Sequence, residues 1–292
     1  MSAQPLGLRP RVAPEELAQG ARSSAPTPDE YTAFCEGVRA LSRIDLLQYK
    51  RGQMERRIRS FAQRRGIPAL PAYLAVLRRD RDELDEFLDR VTINVSQLWR
   101  NPEQWRVLER EILPELAQSA SLGRIRAWSA GCSYGAEAYT LAALVRELGP
   151  AAKAEILGTD IDSRMVARAK LGQFSDEDAR SAPRAQLERW FERGVGGDDL
   201  NPGWTAKREL RALVRFEVDD LLRMRPRRQA YDLVLCRNTV IYFTEDVRDA
   251  LHERLVESLR PGGCLVIGST ERVSHPRELG LVATHPFTYR KA

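Results

Sequence analysis

The sequence predicts an α/β domain built on a parallel sheet and preceded by a small all-helical domain. Apolar segments of strand length recur at 124–129, 154–160, 213–218, 231–236 and 263–268, with helical patterns between most of them. Residues 29–92 show helical periodicity alone. The stretch Arg124–Asp162 reads strand, small-residue loop, helix, strand and a terminal acidic residue, the layout of a βαβ unit that takes a nucleoside-containing cofactor.

Taken in order, residues 1–28 are rich in Pro, Ala, Gly, Ser and Arg without a period, which predicts a disordered tail. Pro28-Asp29 opens a helix with Phe34, Val38 and Leu41 on one face. A second helix covers about Arg51 to Arg65. Met54, Ile58 and Phe61 mark its buried stripe, and Gly66 stops it. Its other faces carry Lys50, Arg51, Arg56, Arg57, Arg59, Arg64 and Arg65. The helix dipole accounts for Arg64 and Arg65 in the last turn and leaves Arg56, Arg57 and Arg59 over. Short helices around Tyr73–Leu77 and Leu84–Val91 complete the helical domain, 29–92. Residues 93–122 form a linker and a helix in which Asn101 is the N-cap, Pro102 takes the first position and Gln104 closes a capping box. Pro114 is expected to kink or end that helix. The α/β domain then runs from 123 to 292. Within it, Arg193-Gly194-Val195-Gly196-Gly197-Asp198-Asp199 and Asn201-Pro202-Gly203 break the pattern and predict a small β-hairpin insertion at about 191–212.

The chain has 292 residues, 43% apolar and 30% charged, an ordinary soluble composition. It has no apolar run of membrane-spanning length and no signal-peptide core, so a cytoplasmic protein without membrane insertion is expected. Cys35, Cys132, Cys236 and Cys264 form no CxxC pair, and His252, His275 and His285 lack metal-ligand spacing. Free thiols and no metal are expected. The net charge of +5 suits an acidic partner, whether nucleic acid, anionic membrane or acidic helix, and equally suits a solvated surface with none.

The cofactor is narrowed by charge. Dinucleotides need closely spaced glycines for their pyrophosphate. Here only Gly131 and Gly135 occur in the loop, and Glu137 at the helix start would repel a pyrophosphate. S-adenosylmethionine carries a sulfonium and an ammonium, which a carboxylate suits; Glu137 is also explained by the helix dipole alone. Asp160 is the expected ribose ligand, and Asp162 fits a capping role better. Asp220 closes another strand near the adenine edge of such a site. Arg237 and Asn238 end a central strand at its C-terminal edge, where α/β sheets place their active sites.

Five segments in order resemble the CheR family, the chemotaxis receptor methyltransferases. They are Tyr49-Lys50 with the Arg56-Arg57-Ile58 helix; Thr92-Ile93-Asn94-Val95-Ser96-Gln97-Leu98-Trp99-Arg100-Asn101; Trp128 to Glu137; Thr159-Asp160-Ile161-Asp162; and Cys236-Arg237-Asn238-Thr239-Val240-Ile241-Tyr242-Phe243. The resemblance covers about residue 30 to the C-terminus. It implies a helical N-terminal domain and a Rossmann-like S-adenosylmethionine-dependent methyltransferase domain with a small antiparallel β insertion. The implied reaction methylates the γ-carboxylate of glutamates on the cytoplasmic helices of chemoreceptors. By motif match Asn94, Ser96, Arg100, Glu137, Asp160, Asp220, Leu221, Arg237 and Asn238 would contact the cofactor, along with the Gly131 loop. Arg100 and Tyr242 match the pair near the transferred methyl group. Lys50, Arg56, Arg57 and Arg59 would meet the acidic receptor bundle, guanidinium to carboxylate.

The chain departs from many relatives in places. Gly135-Ala136-Glu137-Ala138-Tyr139-Thr140 stands for Gly-Glu-Glu-Pro-Tyr-Ser, Asp220 for a frequent asparagine, and Ser96 for threonine. The loop at 194–203 resembles the longer one with which some relatives dock a receptor's C-terminal peptide, in its two-glycine start only. A monomer is expected. Three rival readings differ in class. One is a nucleic-acid methyltransferase, for which Asn238-Thr239-Val240-Ile241-Tyr242 lacks the prolines of an amino-group enzyme and no Pro-Cys nucleophile occurs. Another is a non-catalytic cofactor-binding scaffold or sensor, against which Arg100 and Tyr242 count. The third is a dehydrogenase, disfavoured by the loop. A glutamate carboxylate is already ionised at neutral pH, so the chemistry needs no general base.

Overall fold

The computed structural model describes residues 29–91, 96–120, 123–194 and 203–292. The tail at 1–28, Asn94 and most of the glycine-bearing loop at 194–203 lie outside the described residues.

Asp29 caps α1 (Glu30–Ser42), accepting from the Thr32 amide at 2.9 Å. Next come α2 (Arg51–Arg64), α3 (Leu70–Arg79) and α4 (Arg81–Val91). The stripe Met54, Ile58 and Phe61 is buried with Phe34 and Val38, while Leu41 packs at the margin. Phe34, Phe61, Tyr73 and Phe87 join through edge-on and stacked ring contacts at 5.7–6.2 Å, a core that holds the four helices together.

The next helix departs from expectation twice. It runs as α5 (Pro102–Val107), a π-helical stretch Leu108–Ile112 and α6 (Leu113–Ser119). Pro114 neither ends nor breaks it, because the widened turn has already displaced the i→i−4 ladder just before the proline. Asn101 sits at the N-cap in the left-handed region, φ +57°, and its side chain makes no cap hydrogen bond. The expected capping box does not form; both side chains are taken up elsewhere, as described below.

The α/β part follows as β1 (Arg124–Ala130), α7 (Ala136–Glu147), β2 (Lys153–Asp160), α8 (Ser163–Leu171), β3 (Gln173–Phe174), α9 (Asp176–Ala179) and α10 (Arg184–Trp190). Then come β4 (Phe191–Arg193), β5 (Trp204–Ala206), α11 (Arg208–Arg211), β6 (Val214–Val218), β7 (Tyr231–Cys236), α12 (Glu245–Ser258), β8 (Leu259–Ile267), β9 (Leu281–His285) and β10 (Thr288–Lys291). Seven strands form the main sheet in the order β6-β2-β1-β7-β8-β10-β9. The five predicted strands pair in parallel, with Ala127 opposite Ile156 on one side and Leu233 on the other. The sheet is nonetheless mixed, since β10 runs antiparallel to both β8 and β9. Alternate residues of the central strands enter separate cores. Leu233 and Leu235 pack with α7, whereas Val234 and Cys236 pack with α12.

The insertion is an antiparallel sheet, in the order β3-β5-β4. It has three strands rather than a hairpin and begins at Gln173, ahead of the expected 191. Two residues following directly on the Gly172 cap of α8 are too short for a periodic signal.

Candidate functional site

The strand order turns back between β1 and β7, which opens a crevice at the carboxyl ends of the parallel strands. A cavity of about 380 Å³ lies there, within the range of small-ligand sites. Its walls are the loops after β1, β2, β6 and β7, together with Ser96, Gln97 and Arg100 ahead of α5. The helical N-terminal part closes it with Ile44, Asp45, Gln48 and Tyr49. That roof is tied down by short antiparallel pairing. The Lys50 amide donates to Tyr242 O at 2.8 Å and the Thr244 amide to Gln48 O at 3.1 Å, and the Tyr49 and Phe243 rings meet edge-on at 5.1 Å.

Of the residues expected to contact a cofactor, Ser96, Arg100, Gly131, Glu137, Asp160, Asp220, Leu221, Arg237 and Asn238 all line this one cavity, and so does Tyr242. Asp160 is fixed by the loop beside it. Oδ2 accepts from the Ser133 amide at 2.8 Å and Oδ1 from the Asp162 amide at 3.0 Å. Burial raises its pKa, and these amides oppose the rise. Asp162 caps α8 through the Arg164 amide at 2.9 Å, the bland role expected of it. Asp220 Oδ1 accepts from the Leu222 amide at 2.9 Å, which orients the carboxylate at the strand end.

Gly131 has φ +77°, and a Cβ there would meet Thr239 Oγ1 at 2.6 Å. Contact with the neighbouring β7 loop and the positive φ therefore both demand glycine here.

Glu137 is not an isolated anion. It accepts from Ser129 Oγ at 2.8 Å and from Arg237 Nη1 at 3.2 Å. Arg237 is 7% exposed and distributes its other donors over the start of α5. Nε donates to Gln104 Oε1 at 3.0 Å, and Nη2 to Arg100 O at 2.6 Å and to Asn101 Oδ1 at 3.3 Å. Its guanidinium lies 4.9 Å from the centre of the Trp105 ring. Gln104 Nε2 in turn donates to Ile267 O at 2.9 Å. Asn101 and Gln104 thus serve this clamp instead of capping their own helix. Burial lowers the pKa of Arg237 while Glu137 opposes the change.

The four basic residues proposed for the acidic partner separate into different roles. Lys50 Nζ donates to Ile241 O at 3.2 Å, and the Arg57 guanidinium lies 4.9 Å from the centre of the Tyr242 ring. Arg59 pairs with Glu55 at 2.8 Å and Glu30 at 3.4 Å. Arg56 has no ion pair among the described residues and lines an open groove with Arg57, Arg64 and Arg90.

Sequence reasoning missed Ser129, Gln104 as a clamp member, and Glu271. Buried Glu271 accepts from the amides of Asn238 and Val240, each at 2.9 Å. Its place just past the carboxyl end of β8 was the available signal. Among the described residues no cluster of His, Cys, Asp and Glu could hold a metal, and no helix is long and apolar enough to cross a membrane. The four cysteines are buried free thiols.

The donor set suits S-adenosylmethionine. The cavity is lined by the carboxylates of Asp160, Asp220 and Glu137 and by Arg100, a set of charges that matches a zwitterionic, sulfonium-bearing nucleoside. It presents no three-glycine phosphate turn. Comparison with known proteins agrees. The family model described as "CheR methyltransferase, SAM binding domain" matches residues 94–287, and the one described as "CheR methyltransferase, all-alpha domain" matches residues 29–92. A protein named "Chemotaxis protein methyltransferase" from Listeria innocua is 34% identical over 264 residues, covering 90% of this chain and 97% of its own. Its counterpart from Listeria monocytogenes is 33% identical over 262 residues with the same coverage. A "Chemotaxis protein methyltransferase 1" from Pseudomonas aeruginosa is 31% identical over 228 residues, covering 75% of this chain and 81% of its own.

Proposed function

The chain belongs to the CheR methyltransferase family, and from that premise we propose that it methylates the γ-carboxylates of glutamates on chemoreceptor cytoplasmic helices, in the cytoplasm, as part of chemotaxis signalling. Its cofactor is S-adenosylmethionine. The observation that carries the reading is the meeting of Arg100 and Tyr242 with Glu137 and Asp160 in one cavity. We assign the helical domain to 29–92, the linker and helix to 93–122 and the methyltransferase domain to 123–292.

When bound, S-adenosylmethionine supplies a sulfonium-borne methyl group to a carboxylate oxygen, a transfer that requires no proton removal. Asp160 holds the ribose hydroxyls, and Asp220 and Leu221 border the adenine. Glu137 faces the cationic end with part of its charge already taken by Arg237. That division suits a neutralising transfer, because a fully free carboxylate would stabilise the charged ground state more than the less polar transition state. Arg100 orients the acceptor or the cofactor's carboxylate. Tyr242 offers one hydroxyl at the rim, its ring steadied under Arg57. Tyr49 and Gln48 keep water from the opposite side. Positioning and a dry cavity supply the acceleration; the acceptor carboxylate is itself the nucleophile, so the reaction asks no general base of the chain. Arg56 and its neighbours on the open groove meet the acidic receptor surface.

The experiment is incubation with radiolabelled S-adenosylmethionine and receptor-bearing membranes. Base-labile label released as methanol is the expected result. Absence of transfer, with cofactor binding intact, would turn the reading toward a scaffold.

A further inference from the structure

Glu271 lies behind the cavity, on the loop after β8, and is 3% exposed. Its Oε1 accepts from the Val240 amide at 2.9 Å; its Oε2 accepts from Asn238 at 2.9 Å and Gly268 at 2.6 Å. The Ile241 amide also bonds to it. It has no ion pair among the described residues, so its direct partners are peptide amides, with the Arg237 guanidinium acting on it from farther off. The segment it grips, Arg237–Tyr242, carries four cavity residues: Arg237, Asn238, Thr239 and Tyr242. Asn238 is held at φ +58°, a left-handed backbone uncommon outside glycine. The fit is close on the other side as well. A Cβ at Gly268 would lie 2.7 Å from Glu271 Oε2 and 2.8 Å from the Asn238 nitrogen.

We propose that Glu271 is a positioning residue for methyl transfer: one carboxylate gathers the amides of the β7 loop, fixes the left-handed turn at Asn238 and so sets Asn238 and Tyr242 at the cavity. The proposal rests on the function inferred above. Burial raises the pKa of Glu271 in spite of the four amides, so the ionised group is less favoured here than in water. What the carboxylate does is read from its geometry: amides of two loops converge on it and hold the β7 loop in one shape. Glutamine cannot copy it, because its amide presents one acceptor oxygen and turns an NH2 toward peptide N–H groups.

The test uses the full chain with Glu271→Gln and Glu271→Asp, each alone and combined with Tyr242→Phe. Three quantities are measured: thermal unfolding, S-adenosylhomocysteine affinity by calorimetry, and single-turnover receptor methylation. Glu271→Gln is expected to weaken S-adenosylhomocysteine about 10-fold and slow transfer about 100-fold, as a misplaced site does. Glu271→Asp recovers part of both. In the Tyr242→Phe background the slowing shrinks, because the two changes act through one position. Unchanged affinity and rate in a folded Glu271→Gln protein overturn the proposal, as does an undiminished slowing beside Tyr242→Phe. If Glu271→Gln fails to fold, the aspartate variant bears the same comparisons. If the wild-type chain methylates no receptor, the function is wrong, while the binding measurement still decides the role of Glu271.

Discussion

The cavity wall at Arg237 and the outer face of α2 put the same side chain to opposite use. Arg237 is buried, and its donors reach a carboxylate, two side-chain amides and a peptide oxygen. On α2, Arg51 and Arg59 bracket Glu55 at 3.1 and 2.8 Å in ordinary surface pairs, while exposed Arg56 looks onto an open groove. The difference lies in the surroundings. In a desolvated wall a guanidinium must be matched donor by donor and becomes a structural tie. At the surface, water satisfies it, and it stays available to a partner.

The largest effect expected from this contrast is at Arg237. Arg237→Ala leaves Glu137 buried without its cation, and breaking such a pair costs about 3–5 kcal/mol. Arg237→Lys keeps the charge and loses the fork, so it recovers only part. Urea unfolding measures both; an alanine variant within about 1 kcal/mol of the parent would mean that the clamp holds nothing.

His252 extends the contrast to a buried group that has no hydrogen-bond partner among the described residues. It is 1% exposed on α12, and neither ring nitrogen has a hydrogen-bond partner among the described residues. Burial lowers its pKa from 6.5 to about 4. Between those values the unfolded chain binds a proton that the native state does not. Stability present above pH 6.5 is thus lost as pH falls toward 4, by roughly 3 kcal/mol in all. Unfolding measured across that window should slope accordingly, and His252→Leu should flatten its share of the slope.

At the rim, where the two regions meet through Arg57 and Tyr242, the expected effect is kinetic. Tyr242→Phe should slow single-turnover methylation about 10-fold, with little change in stability. An unchanged rate would remove the phenol from the mechanism and leave the ring as packing.

The same contrast explains what could be read without coordinates. The five parallel strands and the residues at their carboxyl ends were legible, because β7 is apolar on both faces and the polar positions after each strand stand out against that run. Asp162 as a cap was legible for the same local reason. Asn101 and Gln104 were misread, since Asn-Pro-x-Gln satisfies a local rule while a long-range guanidinium outcompetes it. The β9–β10 hairpin escaped, its strands being short and, at Val282, Ala283 and Thr284, exposed. Glu271 gave no periodic or motif signal beyond its place after β8; the convergence of amides from another loop is what reveals its role.

The smallest effect, and the one that most sharpens the contrast, concerns the open groove. Arg56→Glu with Arg64→Glu alters exposed side chains without carboxylate partners among the described residues. Stability should therefore stay within about 0.5 kcal/mol of the parent, and S-adenosylhomocysteine affinity should not move. The KM for receptor should rise several-fold at low salt, and the rise should shrink toward physiological ionic strength, where the screening length is about 8 Å. Arg59→Glu makes the control, because it sets a new carboxylate beside Glu55 and Glu30 and so acts on stability as well. If the Arg56 and Arg64 changes weaken cofactor binding as much as receptor binding, α2 is part of the cavity's support rather than a docking face. The two arginine regions would then be one.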